Sequence, residues 1–399
     1  MSRRVLAAGA GLLVAGLLAA CASRVELPET HFQQVRDVSR AISLEVGKRF
    51  ASPIPGLTLP QGLGLAKPLL LGGFPQASTA EAMVSGHHLR DLLLLDLRQT
   101  MPDTTVARLE EAGNETGALM LHGVVSYQPD EKAGEESSWF KIDYSVRTYP
   151  EAEVLLSGSA LVNARHFDAT PTRFYKDAPI YFASEQKKEL LALASADRAD
   201  ESIKGAMRRS LAYESARGAY ERQQYEVAAQ RFAQILEQQG QGDDLLALSG
   251  RFQSLWKLER IDEAEAVFGQ LIDAAIARKA LSIKFLFSVQ KDDFDRSSEL
   301  YRQYPMWIRQ VARGMRASGR CFEIKGHSSH SGAAAYNDAL STSRAERVMR
   351  YMTSAEPPLR GRLSAKGYGF RENIIGSGTD DAGDAIDRRV DFAEVACRG

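Results

Sequence analysis

The sequence predicts an α+β multidomain protein, and three observations carry that expectation. Two runs of strict period-two alternation, at residues 119–127 and 140–146, follow two stretches with helical spacing. A helical repeat occupies the middle of the chain, and an alternating strand, a helix and further strands close it. The expected architecture is an N-terminal α/β sandwich-like domain over residues 30–165, α-helical hairpins over 184–279 and a strand–helix–strand–helix–strand domain over 280–399. A chain of 399 residues with 44% hydrophobic content has material for more than one core. Its net charge of −1, without a strongly basic block, argues against nucleic acid as the main partner.

Met1-Ser2-Arg3-Arg4 supplies positive charge, residues 5–17 are apolar, and Leu18-Ala19-Ala20-Cys21 follows. The apolar run is too short to span a bilayer comfortably. The tetrapeptide resembles the lipobox of bacterial lipoproteins. That resemblance implies a signal peptide over residues 1–20, cleavage before Cys21 and lipidation of Cys21. Ala22, in place of an aspartate, implies sorting to the outer membrane, with the protein facing the periplasm. Several acyl chains together hold a protein at a membrane where one does so only marginally. Residues 21–29 then form a lipidated tether.

Thr30 is placed to cap a helix whose apolar stripe is Phe32, Val35, Val38, Ile42, Leu44 and Val46. Residues 51–73, rich in Gly, Pro and Leu, read as an ordered loop ending in a strand at 68–72. A second helix over about 85–100 carries His88, Leu92, Leu95 and Leu97 amid Arg90, Asp91 and Arg98. Leu119, Leu121, Gly123, Val125 and Tyr127 share one face of the next strand, and Phe140, Ile142, Tyr144 and Val146 one face of its partner. The acidic stretch 130–138 is their hairpin loop, and residues 154–162 make a third strand. Gly113 to Gly123 with the paired strands resembles the α/β domain of envelope assembly lipoproteins such as LpoB and CsgG.

Tyr225, Ala228, Ala229 and Phe232 recur thirty-six positions later as Ile261, Ala264, Glu265 and Phe268. Residues 216–220 and 248–252 take the first-helix position of each unit, and 240–243 the turn between units. The pattern resembles two tetratricopeptide-type hairpins, in which small alanines let helices approach and an aromatic fills the gap. Two units leave ends that flanking helices must cap. Such hairpins serve either as a surface for envelope proteins or as a spacer.

A strand over 281–287 opens the last domain, and its helix, about 297–317, carries Leu300, Tyr304, Trp307, Val311 and Met315. Pro305 predicts a kink or a helix start near Tyr304. Phe322 and Ile324 alternate in the next strand, and a polar loop from Gly326 to Gly332 follows. In the following helix Tyr336, Leu340, Ala345, Val348 and Met352 form the apolar face, with Asn337, Arg344, Arg347 and Arg350 between them. Strands at 363–369 and 387–392 complete the domain. Taken in order, Gly326-His327, Tyr336-Asn337, Leu340-Ser341, Arg344-Ala345, Gly367-Tyr368-Gly369 and Arg388-Arg389-Val390 resemble the OmpA-like, peptidoglycan-associated C-terminal domain, a βαβαβ fold with a mixed sheet.

That family holds the diaminopimelate of the cell-wall stem peptide. The resemblance implies that Arg344 is the guanidinium clamp for a carboxylate, Asn337 an amide contact and Arg388 a second cationic contact. Ser329 stands where the family has an aspartate, so it bonds an ammonium without neutralising it, at a cost of about 1–2 kcal/mol. Asp387, where the family has asparagine, either returns the missing charge or neutralises Arg388. The stretch 288–291 lacks the family's acidic or asparagine-bearing motif. The family's sheet sets the strands bearing Cys321 and Cys397 side by side, which implies a disulfide in an oxidising periplasm; two unpaired thiols are the alternative.

No G-x-x-x-x-G-K-[ST] loop, G-x-S-x-G elbow or spaced carboxylate pair is present, and the adjacent His87-His88 points its rings about 100 degrees apart on a helix. The expectation is therefore no enzyme, no cofactor and no metal. The expected function is an outer-membrane lipoprotein that docks to peptidoglycan and recruits envelope partners. The alternative is a pure interaction scaffold whose C-terminal domain has lost the wall.

Overall fold

The computed structural model describes residues 25–26, 29–51, 67–111, 117–129, 138–181, 201–238, 242–288, 290–373 and 387–397. Cys21, the signal peptide, most of the loops at 51–73 and 130–138, the start of the helical stretch at 184 and part of the turn at 240–243 lie outside those residues. The first sheet contains β1 (Val25–Glu26), β2 (Thr30–Phe32), β3 (Leu69–Leu71), β4 (Val106–Arg108), β5 (Leu119–Gln128), β6 (Trp139–Thr148) and β7 (Val154–Asn163). Its order is β1-β7-β6-β5-β3-β4, with β2 also on β7. β5, β6 and β7 form an antiparallel meander, while the short strands join in parallel at its two sides.

Alternation places Leu121, Val125, Ile142 and Val146 on the face packed by α1 (Val35–Phe50) and α2 (Val84–Thr100). Two readings of this region change. Thr30 caps nothing: it begins β2, and the N-cap of α1 is Gln34. Part of the expected tether, Val25–Glu26, is strand as well. Both follow from the unpaired edge of β7, which takes up the passing chain. The stripe of α1 is Val35, Val38, Ile42 and Val46, at steps of three and four, whereas Leu44 is 55% exposed. In α2 the run Leu92 to Leu95 fits more than one helical phase, and packing buries Leu89, Leu92, Leu93, Leu94 and Leu97, leaving His88 and Leu95 outward.

After the short α3 (Arg173–Asp177) come α4 (Glu201–Glu221), α5 (Tyr225–Glu237), α6 (Leu245–Lys257) and α7 (Ile261–Ala277). The repeated Ala228, Phe232, Ala264 and Phe268 are fully buried between them. Gly250 on α6 is the point of closest approach, since a Cβ there would lie 2.4 Å from the Phe232 ring. α4 also packs Ile203, Ala206 and Met207 on the second face of the first sheet.

The second sheet contains β8 (Ser282–Ile283), β9 (Cys321–Gly326), β10 (Leu363–Gly367) and β11 (Val390–Val395) in the order β10-β9-β11-β8. β9 and β10 are parallel and β11 is antiparallel to its neighbours, so the sheet is mixed. The strand expected over 281–287 is only two residues, because the Lys284 amide turns away to donate to the Pro179 carbonyl at 2.8 Å. α8 (Tyr304–Ser318) begins where Pro305 placed a start, the proline occupying the first turn, where its missing N–H is not needed. α9 (Ala334–Ala355) crosses the sheet. The helical hairpins and this sheet share one continuous core from Phe174 to Phe392. Among the described residues no helix is long and apolar enough to cross a membrane.

Candidate functional site

The first half of α9, the loop after β9, Gln290 and Arg388 just before β11 enclose a cleft of about 370 Å³. It is lined by Ser328, Ser329, Asn337, Arg344, Arg388 and the rim residue Tyr336, among others. Close approach of backbone builds it. A Cβ on Gly326 would lie 1.9 Å from the Ser341 carbonyl oxygen, and one on Gly367 2.2 Å from Thr342 Oγ1, so two strand glycines let α9 lie directly on β9 and β10. Ser341 Oγ then accepts from the Gly369 amide at 2.9 Å, and the Ser328 amide donates to the Gly369 carbonyl at 2.9 Å. The strand tips, the loop and the helix are thus tied into one frame.

The inward face of α9 differs from the expected one. Asn337, Ser341 and Arg344 are buried together with Ala345, Val348 and Met352, while Tyr336 is 49% exposed. The first half of α9 faces the cleft and not the core, so its buried side is polar. Asn337 Nδ2 donates to the Ser331 carbonyl at 2.7 Å and closes the loop onto the helix. Arg344 is 1% exposed and forms the floor. Its Nε donates to the Lys291 carbonyl at 3.1 Å, Nη2 to that of Ser288 at 3.3 Å and Nη1 to that of His327 at 3.5 Å, with the guanidinium 5.1 Å from the Phe287 ring centre. Three carbonyls fix the plane of the fork. Ser288 and Lys291, in the stretch that lacks the expected side chains, therefore serve the site through their carbonyls.

Arg388 lines the cleft, and Asp387 is fully buried next to it in the chain. Ser329, at 5% exposure, has its hydroxyl 3.4 Å from that of Ser331. Ser328, 1% exposed, lines the cleft with a hydroxyl that has no hydrogen-bond partner among the described residues, an orphan that a ligand's polar group would satisfy. Sequence reasoning missed it, since a serine in a polar loop carries no signal of burial. Behind the cleft the fully buried His327 has Nε2 3.3 Å from Asp391 Oδ2, which also takes 2.8 Å contact from Arg389 Nε. His330 is exposed, its ring edge-on to Phe370. Cys321 and Cys397 form a disulfide with a Cα–Cα distance of 5.2 Å.

The chemistry on offer is recognition of an anion by two guanidinium groups with neutral hydroxyl and amide donors around them. Among the described residues no group of three or more His, Cys, Asp or Glu is placed to hold a metal ion. No curated protein matches the chain. Solved structures similar to part of the chain include the peptidoglycan-associated lipoprotein from Burkholderia pseudomallei, 23% identical over 28% of this chain and 88% of that one, with a TM-score of 0.23. The cell wall anchor of the T6SS from Pseudomonas aeruginosa is 23% identical over 29% of this chain and 79% of that one, with a TM-score of 0.24. The C-terminal domain of Helicobacter pylori MotB is 19% identical over 28% and 83%, with a TM-score of 0.23. The model of the OmpA family matches residues 294–386, and the cleft-bearing part of this chain is accordingly an OmpA family domain.

Proposed function

We propose that this chain is an outer-membrane-anchored periplasmic lipoprotein that docks to peptidoglycan through the cleft of its OmpA family domain and meets envelope partners through its helical hairpins. The observation that carries the reading is the buried Arg344 fork, held in one plane by three carbonyls at the floor of a polar cleft. A pre-set guanidinium suits a carboxylate because both bonds form without reorganising the donor. In this reading Arg344 and Arg388 hold the diaminopimelate carboxylate, Asn337 and Ser328 supply neutral contacts, and Ser329 meets the ammonium. Cys21 carries the lipids and residues 1–20 are removed. The protein has no catalytic role and needs no cofactor.

One observation favours a second reading: Arg344 is 1% exposed with its cleft-facing surface included and already donates to three carbonyls, which suits a domain that has lost its ligand and acts as a scaffold. Sedimentation with purified sacculi separates the two. The wild-type chain is expected to sediment, Arg344→Ala to stay in the supernatant, and Ser329→Asp to bind about tenfold more tightly by restoring an ionic contact. If neither wild type nor Ser329→Asp sediments, the scaffold reading stands, and crosslinking in cells should recover proteins without muropeptides.

A further inference from the structure

The geometry points to a membrane-facing end of the seven-stranded sheet, where the N-terminal ends of β1, β3, β4, β5 and β7 lie against the phospholipid surface that holds Cys21. The inference rests on the lipidation proposed above. Val25–Glu26 already pair with Leu156–Ser157, and Val25 is the fourth residue after Cys21. Four residues reach at most about 14 Å, so a freely moving spacer has no room. Parallel pairing decides which end of the sheet is held. β1 runs parallel to β7, so Val25, its N-terminal residue, lies at the end of the sheet that holds Val154 and the turn at 149–153.

The register brings the other loops to that end. Leu119 lies opposite Thr148, Leu69 opposite Leu119, and Val106 opposite Leu69. Lys67, Pro102, Asp103, Gly117, Glu151 and Glu153 are exposed there. The turn itself is tightly held. The Tyr149 amide donates to the Ala118 carbonyl at 2.8 Å and the Gly117 amide to that of Tyr149 at 3.0 Å, while Tyr149 and Ala152 pack with Ile203 and Met207. Among the described residues Lys67, Lys204 and Arg208 stand against Asp103, Glu151, Glu153 and Glu201, so this end carries no net positive charge for anionic headgroups. The contact with phospholipid is imposed by the shortness of the chain and not by charge.

The test uses the lipidated full-length mature chain in vesicles of phosphatidylethanolamine and phosphatidylglycerol. A fluorophore is attached at Glu151→Cys or, at the opposite end of the sheet, at the exposed Gln128→Cys. Cys321 and Cys397 are joined to each other, so the introduced thiol takes the label. The two positions are separated by roughly 30 Å along the strands. A headgroup spin-labelled phospholipid is expected to quench the Glu151 label at least about fivefold more than the Gln128 label, and a Gly/Ser insertion of about twenty residues after Ala22 to bring that ratio near one. Equal quenching without the insertion, or a ratio that the insertion leaves unchanged, would overturn the inference. Palmitate incorporation in the same preparations distinguishes the two levels: an unacylated chain sinks the anchor itself, whereas an acylated chain with equal quenching sinks only its close approach.

Discussion

Asp391 lies 3.3 Å from the His327 ring and 2.8 Å from Arg389, with the Ser282 hydroxyl on its other oxygen. Burial by itself pushes its carboxyl up, but His327, Arg389 and Ser282 outweigh that and hold it at about 2. An unfolded aspartate titrates near about 3.9, so the native state gains about 2 kcal/mol that is fully present above about pH 4 and is lost as pH falls toward 2. His122 acts on an earlier limb. Burial, and then Arg147, push its ring down to about 3. Between its unfolded value of about 6.5 and that point the unfolded chain binds the proton first, so acidification costs up to about 5 kcal/mol. Urea midpoints measured from pH 8 to 2 should show both limbs. His122→Gln should flatten the first and Asp391→Asn the second, and unchanged slopes would refute these assignments. At this scale Asn337, Arg344 and Arg388 stand in the short ordered motifs and Ser329 in the polar loop, and the structure places these four on the lining of one cleft, whereas Asp387 is fully buried and off that lining. The burial of His122 and Ser328 was not legible in the sequence, because it is decided by strands and loops far away along the chain.

Among the elements, α9 shows most clearly why a pattern can mislead. Reading its buried side as its apolar side put Tyr336 inward and Asn337 and Arg344 outward, and the first half of the helix is the reverse. A helix that lines a polar cleft buries hydrogen-bonding groups that find backbone partners, and an apolar stripe marks only the half lying on the core. The glycine motifs were visible as motifs, and packing supplies their cause: Gly326 and Gly367 both admit the Ser341–Thr342 turn of the helix. Gly326→Ala would set a methyl 1.9 Å from the Ser341 carbonyl oxygen, so the helix must move off the strand. A loss of at least about 3 kcal/mol in urea unfolding is expected, together with the loss of sacculus binding. Wild-type stability in this variant would contradict the close approach. The strands at residues 119–128 and 139–148 were legible because one face alternates cleanly, whereas β1 and β2 exist only because β7 offers an edge.

Across the whole molecule the modules interlock. The helical hairpins share a core with the second sheet. Arg90 of α2 meets Glu110 at 3.0 Å and Glu214 of α4 at 3.7 Å, both with little exposure. Lys284 Nζ, just after β8, donates to the Tyr175 carbonyl at 2.6 Å and lies 3.8 Å from Glu81, joining the last sheet to the first part of the chain. Burial pushes the Glu81 carboxyl up and the Lys284 ammonium down, so each depends on the other to remain charged. Sequence reading separated modules by their periodicities, and these cross-links escaped it because no local pattern marks a lone Lys or Glu whose partner is two hundred residues away. A body braced in this way carries the cleft at a fixed place relative to the β1 end of the first sheet. The claim on which the account turns is that the Arg344 cleft takes a carboxylate of the wall peptide. Calorimetric titration of the mature chain with a diaminopimelate-containing tripeptide tests it: saturable binding at one site is expected, weakened at least about thirtyfold in a folded Arg344→Ala variant, in line with about 2 kcal/mol for a charged contact. Absence of saturable binding, or equal affinity in that variant, would contradict it.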